Sequence, residues 1–370
     1  MEKTKHAPNV VDVLNAKLAN VRSEKMIANK IVLILGLLTL MAIAGCTTVQ
    51  KSTTPADNPL SPPRTEDSSG NEYEVISVTE DDAIKTTSKG VKYLVDPDKI
   101  LSGGPPKDGI PSIDNPEFVS VEEADEWIQD NELVLAMIHK GVKRVYPLQI
   151  LVWHEIVNDN IAGDPILVTY CLLCGSGIAY ERKINGEEVE FGTSGKLYNS
   201  NLVMYDRKTD TYWSQIDGLA IVGELTGKEL TELSIDTVVW RDWKKAHPDS
   251  EVLSQDTGFR RDYGRDPYGS YYEDSFLIFP VENEDNRIHA KTVIFGIEVD
   301  GVYKAYKEDD LKATGVIEDS IGETKIKIER DDAGTIKITD KDTGNEIVKE
   351  RDFWFAWYAF HPDTKLYEDK

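Results

Sequence analysis

The sequence predicts a β-rich α+β body with duplicated hairpin-containing units and a few short helices. Three observations carry that reading. Apolar runs of strand length, bounded by Gly, Asn, Asp and Pro, outnumber stretches with helical period. The segment GVKRVYPLQILVWHEIVNDNI at 141–161 reappears without a gap as GVYKAYKEDDLKATGVIEDSI at 301–321. A C-x-x-C pair, Cys171 and Cys174, follows directly on the apolar run ILVTY.

Residues 1–46 read as an export signal. Lys25 and Lys30 precede an apolar run from Ile31 to Ala44 that ends in Ile43-Ala44-Gly45-Cys46, an ending that resembles a bacterial lipobox. Lipidation of Cys46 would tether the mature chain to a membrane at an extracytoplasmic face, periplasmic or cell surface, with two or three acyl chains needed for firm anchoring. An uncleaved transmembrane anchor is the alternative, though the run is short for a full span. Met26 stands directly before the apolar run and offers a second start site. Residues 47–72 carry Ser, Thr, Pro and charge with little that can form a core, as a flexible tether does.

The body spans 73–370, either one domain or two packed halves at about 95–225 and 226–370. EVISV and VKYLVD alternate as half-buried strands, and Ser120 with Glu123 forms a capping box for a short helix through Trp127. VLAMI and VKRVY read as a hairpin around Gly141. PLQILVWHEIVND then reads as one helix with 148, 151, 152 and 156 on one face. ILVTY is a buried strand, and Asn185-Gly186 marks another hairpin. The repeat at 301–321, with VIFGI before it as VLAMI precedes 141–161, points to an internal duplication; two unrelated hairpins are the plainer account. WHE in the first copy is ATG in the second, so the chemistry falls to the first.

Lysine plus arginine number 42 against 66 acidic residues, a net charge of −24. Such a surface repels nucleic acid and anionic headgroups, which argues against a nucleic-acid partner. With Cys46 assigned to lipid, only Cys171 and Cys174 remain of three cysteines, so no disulfide framework supports the body. The pair is a redox dithiol, half of a metal site or an inert disulfide. His154 and Glu155 can serve it as ligand or proton carriers, or be an exposed polar pair on an amphipathic helix. Copper, zinc or iron would need further ligands, with His154, Met204 and His361 as candidates.

WKKAHPDS at 243–250 and WYAFHPDT at 357–364 share W-x-x-x-H-P-D-[ST] and read as helix ends, with His247 and His361 near the last carbonyls. In FGTSGKLYNSNLVMYDRKTDTYWSQIDG, Lys196, Tyr198, Asn199 and Asn201 are ligand-binding candidates, although turns explain the same residues. A ligand, a protein partner or a thiol substrate all remain open, as does a non-catalytic binding module with a structural disulfide.

KDGIPSIDNPEF, YPLQILVWHEIVND, VTYCLLCGSGIAYER, FGTSGKLYNSNLVMYDRKTDTYWSQ, RDYGRDPYGSYY and FWFAWYAFHPDTKLY together resemble the domain of unknown function 3179 family of exported proteins, over about 95–367. Members sometimes labelled selenoproteins imply redox chemistry at C-x-x-C, since selenium replaces sulfur where the atom reacts. Here both positions are cysteine, and Leu172-Leu173 stand where the family pattern has Pro-Leu.

Overall fold

A computed structural model describes residues 84–368. The signal segment, the tether and the strand expected at EVISV lie outside the described residues. Contacts join Asp81–Lys370 into one unit.

In chain order, β1 (Phe118–Ser120) leads into α1 (Val121–Ala124), where Ser120 and Glu123 form the expected reciprocal cap. The first repeat unit follows: β2 (Leu133–His139), β3 (Val142–Pro147), α2 (Leu148–His154), β4 (Ile156–Ile161) and β5 (Asp164–Cys171). An insert continues it with β6 (Ser176–Glu181), β7 (Phe191–Tyr198), β8 (Asn201–Asp206), β9 (Tyr212–Ser214), β10 (Ala220–Val222) and β11 (Glu232–Leu233). The unit closes with β12 (Asp236–Val239), α3 (Trp240–Ala246) and β13 (Glu251–Leu253).

The second unit repeats this plan with β14 (Val293–Val299), β15 (Val302–Lys307), α4 (Glu308–Thr314), β16 (Val316–Ile321), β17 (Thr324–Arg330) and β18 (Ile336–Asp340). It closes with β19 (Glu350–Phe353), α5 (Trp354–Phe360) and β20 (Lys365–Leu366).

The likeness extends to register. Leu133 pairs with Val239 as Val293 pairs with Phe353, and the parallel closing strands set Arg144 beside Glu251 as they set Lys304 beside Lys365. Side-chain bonds repeat as well. Tyr146 donates to Asp159 at 2.7 Å and Tyr306 to Asp319 at 2.9 Å; Trp243 donates to Ser250 at 3.0 Å and Trp357 to Thr364 at 2.8 Å. The two W-x-x-x-H-P-D-[ST] motifs are therefore the closing arms of the two repeat units, each ending a helix with His247 or His361 as its cap.

The expected helix over 147–159 is corrected. It stops at His154, because Glu155 takes a left-handed conformation (φ 60°) and turns the chain into β4. Residues 156–161 then pair with β5 across the Ala162-Gly163 turn, where backbone bonds along the whole hairpin outweigh two more turns of helix.

Pro165 to Cys171 is buried at every position, whereas β17 buries only alternate residues. A strand covered on both faces needs a continuous apolar run, and one covered on one face needs alternation. Cys171 thus ends a strand enclosed on both faces, and both cysteines lie in the largest core cluster. Among the described residues no helix is long and apolar enough to cross a membrane.

Candidate functional site

Cys171 ends β5, and Leu172–Gly175 form the turn into β6, with Cys171 paired to Ser176. The Cys174 amide donates to the Cys171 carbonyl at 3.1 Å and the Gly175 amide to Leu172 at 3.3 Å. This closes the turn on itself and aims both side chains the same way. Gly175 has φ +66°, and a Cβ there would meet the Phe353 ring at 3.0 Å, so the position calls for glycine twice over. The two sulfurs are 3.2 Å apart, and neither cysteine is in a disulfide.

The turn lies between two strands, so the pair does not open a helix of its own, the setting that commonly lowers a cysteine's pKa. Burial pushes the Cys174 thiol well above its ordinary range, and hydrogen bonding and charge from Cys171 push it further against an opposing bond from Asn201.

The partner groups come from the β7–β8 turn. Asn199 and Ser200 both adopt positive φ, 48° and 63°, which turns the Ser200 carbonyl toward the sulfurs at 3.9 Å from Cys171 and 3.5 Å from Cys174. The Asn201 amide donates to Cys174 Sγ at 3.4 Å and to Gln215 Oε1 at 2.7 Å. Gln215 in turn donates to Thr169 Oγ1 at 2.9 Å on the cysteine strand. Each amide in this relay is oriented by the next, so the environment of Cys174 is held from two sides.

The irregular stretch between β13 and β14 covers the turn. Tyr271 donates to the Leu173 carbonyl at 3.0 Å, and Lys291 Nζ lies 3.5 Å from the centre of its ring. Lys291 also donates to the carbonyls of Tyr271 and Phe276, pinning the segment down. From the second unit, the Phe353 amide donates to the Cys174 carbonyl at 2.7 Å. The cysteine turn of the first unit is thus held by the end of a strand from the second.

His154 is fully buried, but its ring faces Pro111 and Tyr263 rather than a sulfur. A carbonyl only accepts, so Nδ1 carries the proton that goes to Pro111 at 2.7 Å, and Nε2 accepts from the Tyr263 hydroxyl at 2.6 Å. Burial pushes its pKa down to about 4. Burial raises that of Glu155 to about 8, and Tyr268 lies within electrostatic reach of both Glu155 and Cys171.

Met204 is buried in the β8 core opposite Thr193 and Trp213, and His361 stacks on Tyr303 in the second unit. Among the described residues no three His, Cys, Asp or Glu side chains gather closely enough to hold a metal ion.

Of the four ligand-binding candidates, Asn201 alone reaches a cysteine side chain. Asn199 accepts from the Glu282 amide and Tyr198 donates to the Glu282 carboxylate, both acting as fasteners of the turn. Lys196 sits on β7 opposite Val203 and Ser102. Ser200, Gln215, Thr169, Tyr271 and Phe353 were not singled out from the sequence. Each lies in a segment that carries the family resemblance, which was the available signal, yet their convergence depends on long-range packing.

Fold and site together define a strand-rich, acidic protein with paired repeat units and a buried dithiol in a hairpin turn. The chain belongs to the family described as a protein of unknown function (DUF3179), which it matches over residues 107–364. No curated protein and no solved structure matches it.

Proposed function

We propose that Cys171 and Cys174 form a dithiol–disulfide couple that works outside the cytoplasm, with the chain held at a membrane by lipid on Cys46. The observation that carries this reading is the pair of sulfurs 3.2 Å apart in a turn closed by its own backbone bonds. About 1 Å of approach separates that contact from a covalent bond. Zinc, iron or copper with a shell beyond the two thiols is less well supported, because His154, Met204 and His361 are engaged elsewhere.

The reaction follows ordinary thiol–disulfide exchange. The Cys171 thiol, the less enclosed of the two at 3 % exposure against 0 %, loses its proton and attacks a disulfide substrate. A mixed disulfide forms and one substrate sulfur leaves as a thiolate. Cys174 then attacks the Cys171 sulfur, which closes the Cys171–Cys174 bond and releases the second substrate thiol. Glu155, held protonated up to about pH 8 and sharing the neighbourhood of Tyr268 with Cys171, is a candidate for passing a proton to the departing substrate thiolate, its own proton then restored by the one that Cys171 loses. Access requires the Tyr271 segment to lift, and its bond to Leu173 makes that lifting sensitive to the state of the turn.

The test is Cys174→Ser exposed to a small aromatic disulfide, with the adduct read by mass spectrometry. A stable mixed disulfide at Cys171 is expected, with the wild type reaching an intramolecular disulfide under the same conditions. No adduct across a range of redox buffers would reduce the pair to an inert structural element. Incorporation of a labelled fatty acid, abolished by Cys46→Ala, checks the anchor.

A further inference from the structure

A cavity of about 500 Å³ lies between the insert and the second repeat unit, and none of its lining residues belongs to the cysteine turn. One side carries Asp217, Glu229 and Glu232 from the insert, and the other carries Glu298 and Glu350 from β14 and β19. No lysine or arginine lines it. The nearest cations are turned elsewhere: Lys349 pairs with Asp236 at 3.0 Å and Arg351 with Glu308 at 3.1 Å.

Acidity by itself would say little in so acidic a chain, but two other features single this cavity out. The first lies at its base. Asp352 is completely buried, and its carboxyl, short of a well-formed hydrogen bond, faces the Ser176 hydroxyl and the carboxyl of Glu350, whose Oε2 is buried in the same way. Residues 350 and 352 alternate onto one face of β19, so the carboxyl of Asp352 stands behind the one that lines the cavity. Two buried carboxyls in contact repel one another when both are ionised, and a cation is the group that would let both carry charge.

The second feature is an aromatic wall. His361 stacks on Tyr303 at 4.1 Å and lies 4.2 Å from the Trp357 ring. Burial pushes the pKa of His361 down to about 4, so it adds a neutral face rather than a positive charge. Aromatic faces beside carboxylates suit ammonium groups and the methylenes between them.

We propose that this cavity binds a small linear polyamine, its ammonium groups reaching the carboxylates and its methylenes lying along Tyr303, Trp357 and His361. A bare metal ion fits less well, because no three of the acidic and histidine side chains converge on one point among the described residues. The volume is that of a small-molecule site. Burial and mutual repulsion raise the pKa values of Glu232 and Glu350, and an arriving cation relieves both penalties.

The experiment is calorimetric titration of the whole protein with spermidine at physiological ionic strength. Saturable one-to-one binding is expected, weakened about tenfold or more by Glu350→Gln and several-fold by Tyr303→Leu. Cys171→Ser should bind as the wild type does, which separates this site from the thiol reading. If Glu350→Gln does not fold, Glu298→Gln and Tyr303→Leu carry the test, each expected to weaken binding with an unchanged melting curve. Equal affinity in the folded variants, or displacement by magnesium at matching concentration, would overturn the proposal.

Discussion

The two repeat units share element order, strand register and two side-chain hydrogen bonds outside the insert, and two of the places where they diverge bear on the site. At the end of the helix, the second unit has Gly315 at φ 74° while the first has Glu155 at φ 60°. After the second strand of the hairpin, the first unit has the cysteine turn. The second has Asp331, whose carboxylate accepts from Ala333 and Thr335 and simply caps its own loop. Where the second unit follows the cheapest local rule, the first departs from it. Departures of that kind, a non-glycine in left-handed geometry and a close cysteine pair in a turn, collect at functional sites.

The sharpest way to break the comparison is at Gly296. It occupies the place of Ala136 in the first unit, where alanine shares a cluster with Trp243. A Cβ at Gly296 would come within 2.4 Å of the Trp357 ring. Gly296→Ala should therefore cost about 3 kcal/mol in chemical denaturation, although the equivalent position in the first unit carries a methyl group already. A loss within error would mean that the two arms pack alike.

A smaller effect is expected at Phe353, which stands where the first unit has Val239. Phe353→Val keeps the amide that holds Cys174 but removes the ring from Gly175. Alkylation of the thiols should accelerate several-fold, and Gly175→Ala should be less damaging in this background than in the wild type, as a double-mutant cycle would read. Independence of the two changes would show that Phe353 does not gate the turn.

The smallest change concerns Glu155→Gly, which copies the second unit's cap. Relief of left-handed strain should add about 1 kcal/mol. The variant should also alter the pH profile. With a pKa raised from 4.5 to about 8, Glu155 favours the folded chain when protonated. Its contribution is complete below about 4.5 and is lost as pH rises through about 8, so the variant should melt less steeply with alkali. His154 acts in the opposite sense: its pKa is lowered from 6.5 to about 4, and its contribution is present above 6.5 and lost as pH falls through about 4. The acid limb of the melting profile should survive in Glu155→Gly.

Much of the scaffold was legible in the sequence because it rests on local chemistry. Gly141, Asn185-Gly186 and the Ser120–Glu123 box identified turns and a cap, and a period of two identified strands. The repeat was visible over 141–161 and 301–321. Its closing arms were also seen, as a shared motif, but their membership in the same two units was not, because the insert and the long irregular segment separate them in the chain. The helix end at His154 was missed because nothing in WHEIVND punctuates it; a glutamate supplied the left-handed turn that glycine supplies in the second unit.

By itself, the sequence determined the β-rich class, the repeat, the hairpin setting of the cysteines and their isolation from any disulfide framework. Each follows from residue types acting over a few positions. Tertiary structure decided which groups face the sulfurs, that His154 turns instead to Pro111 and Tyr263, and that a strand from the second unit anchors Cys174. It also gathered the carboxylates of the insert and the second unit around one cavity. Those outcomes depend on contacts between residues distant in the chain, where packing and the burial of charge, rather than local propensity, choose the partners.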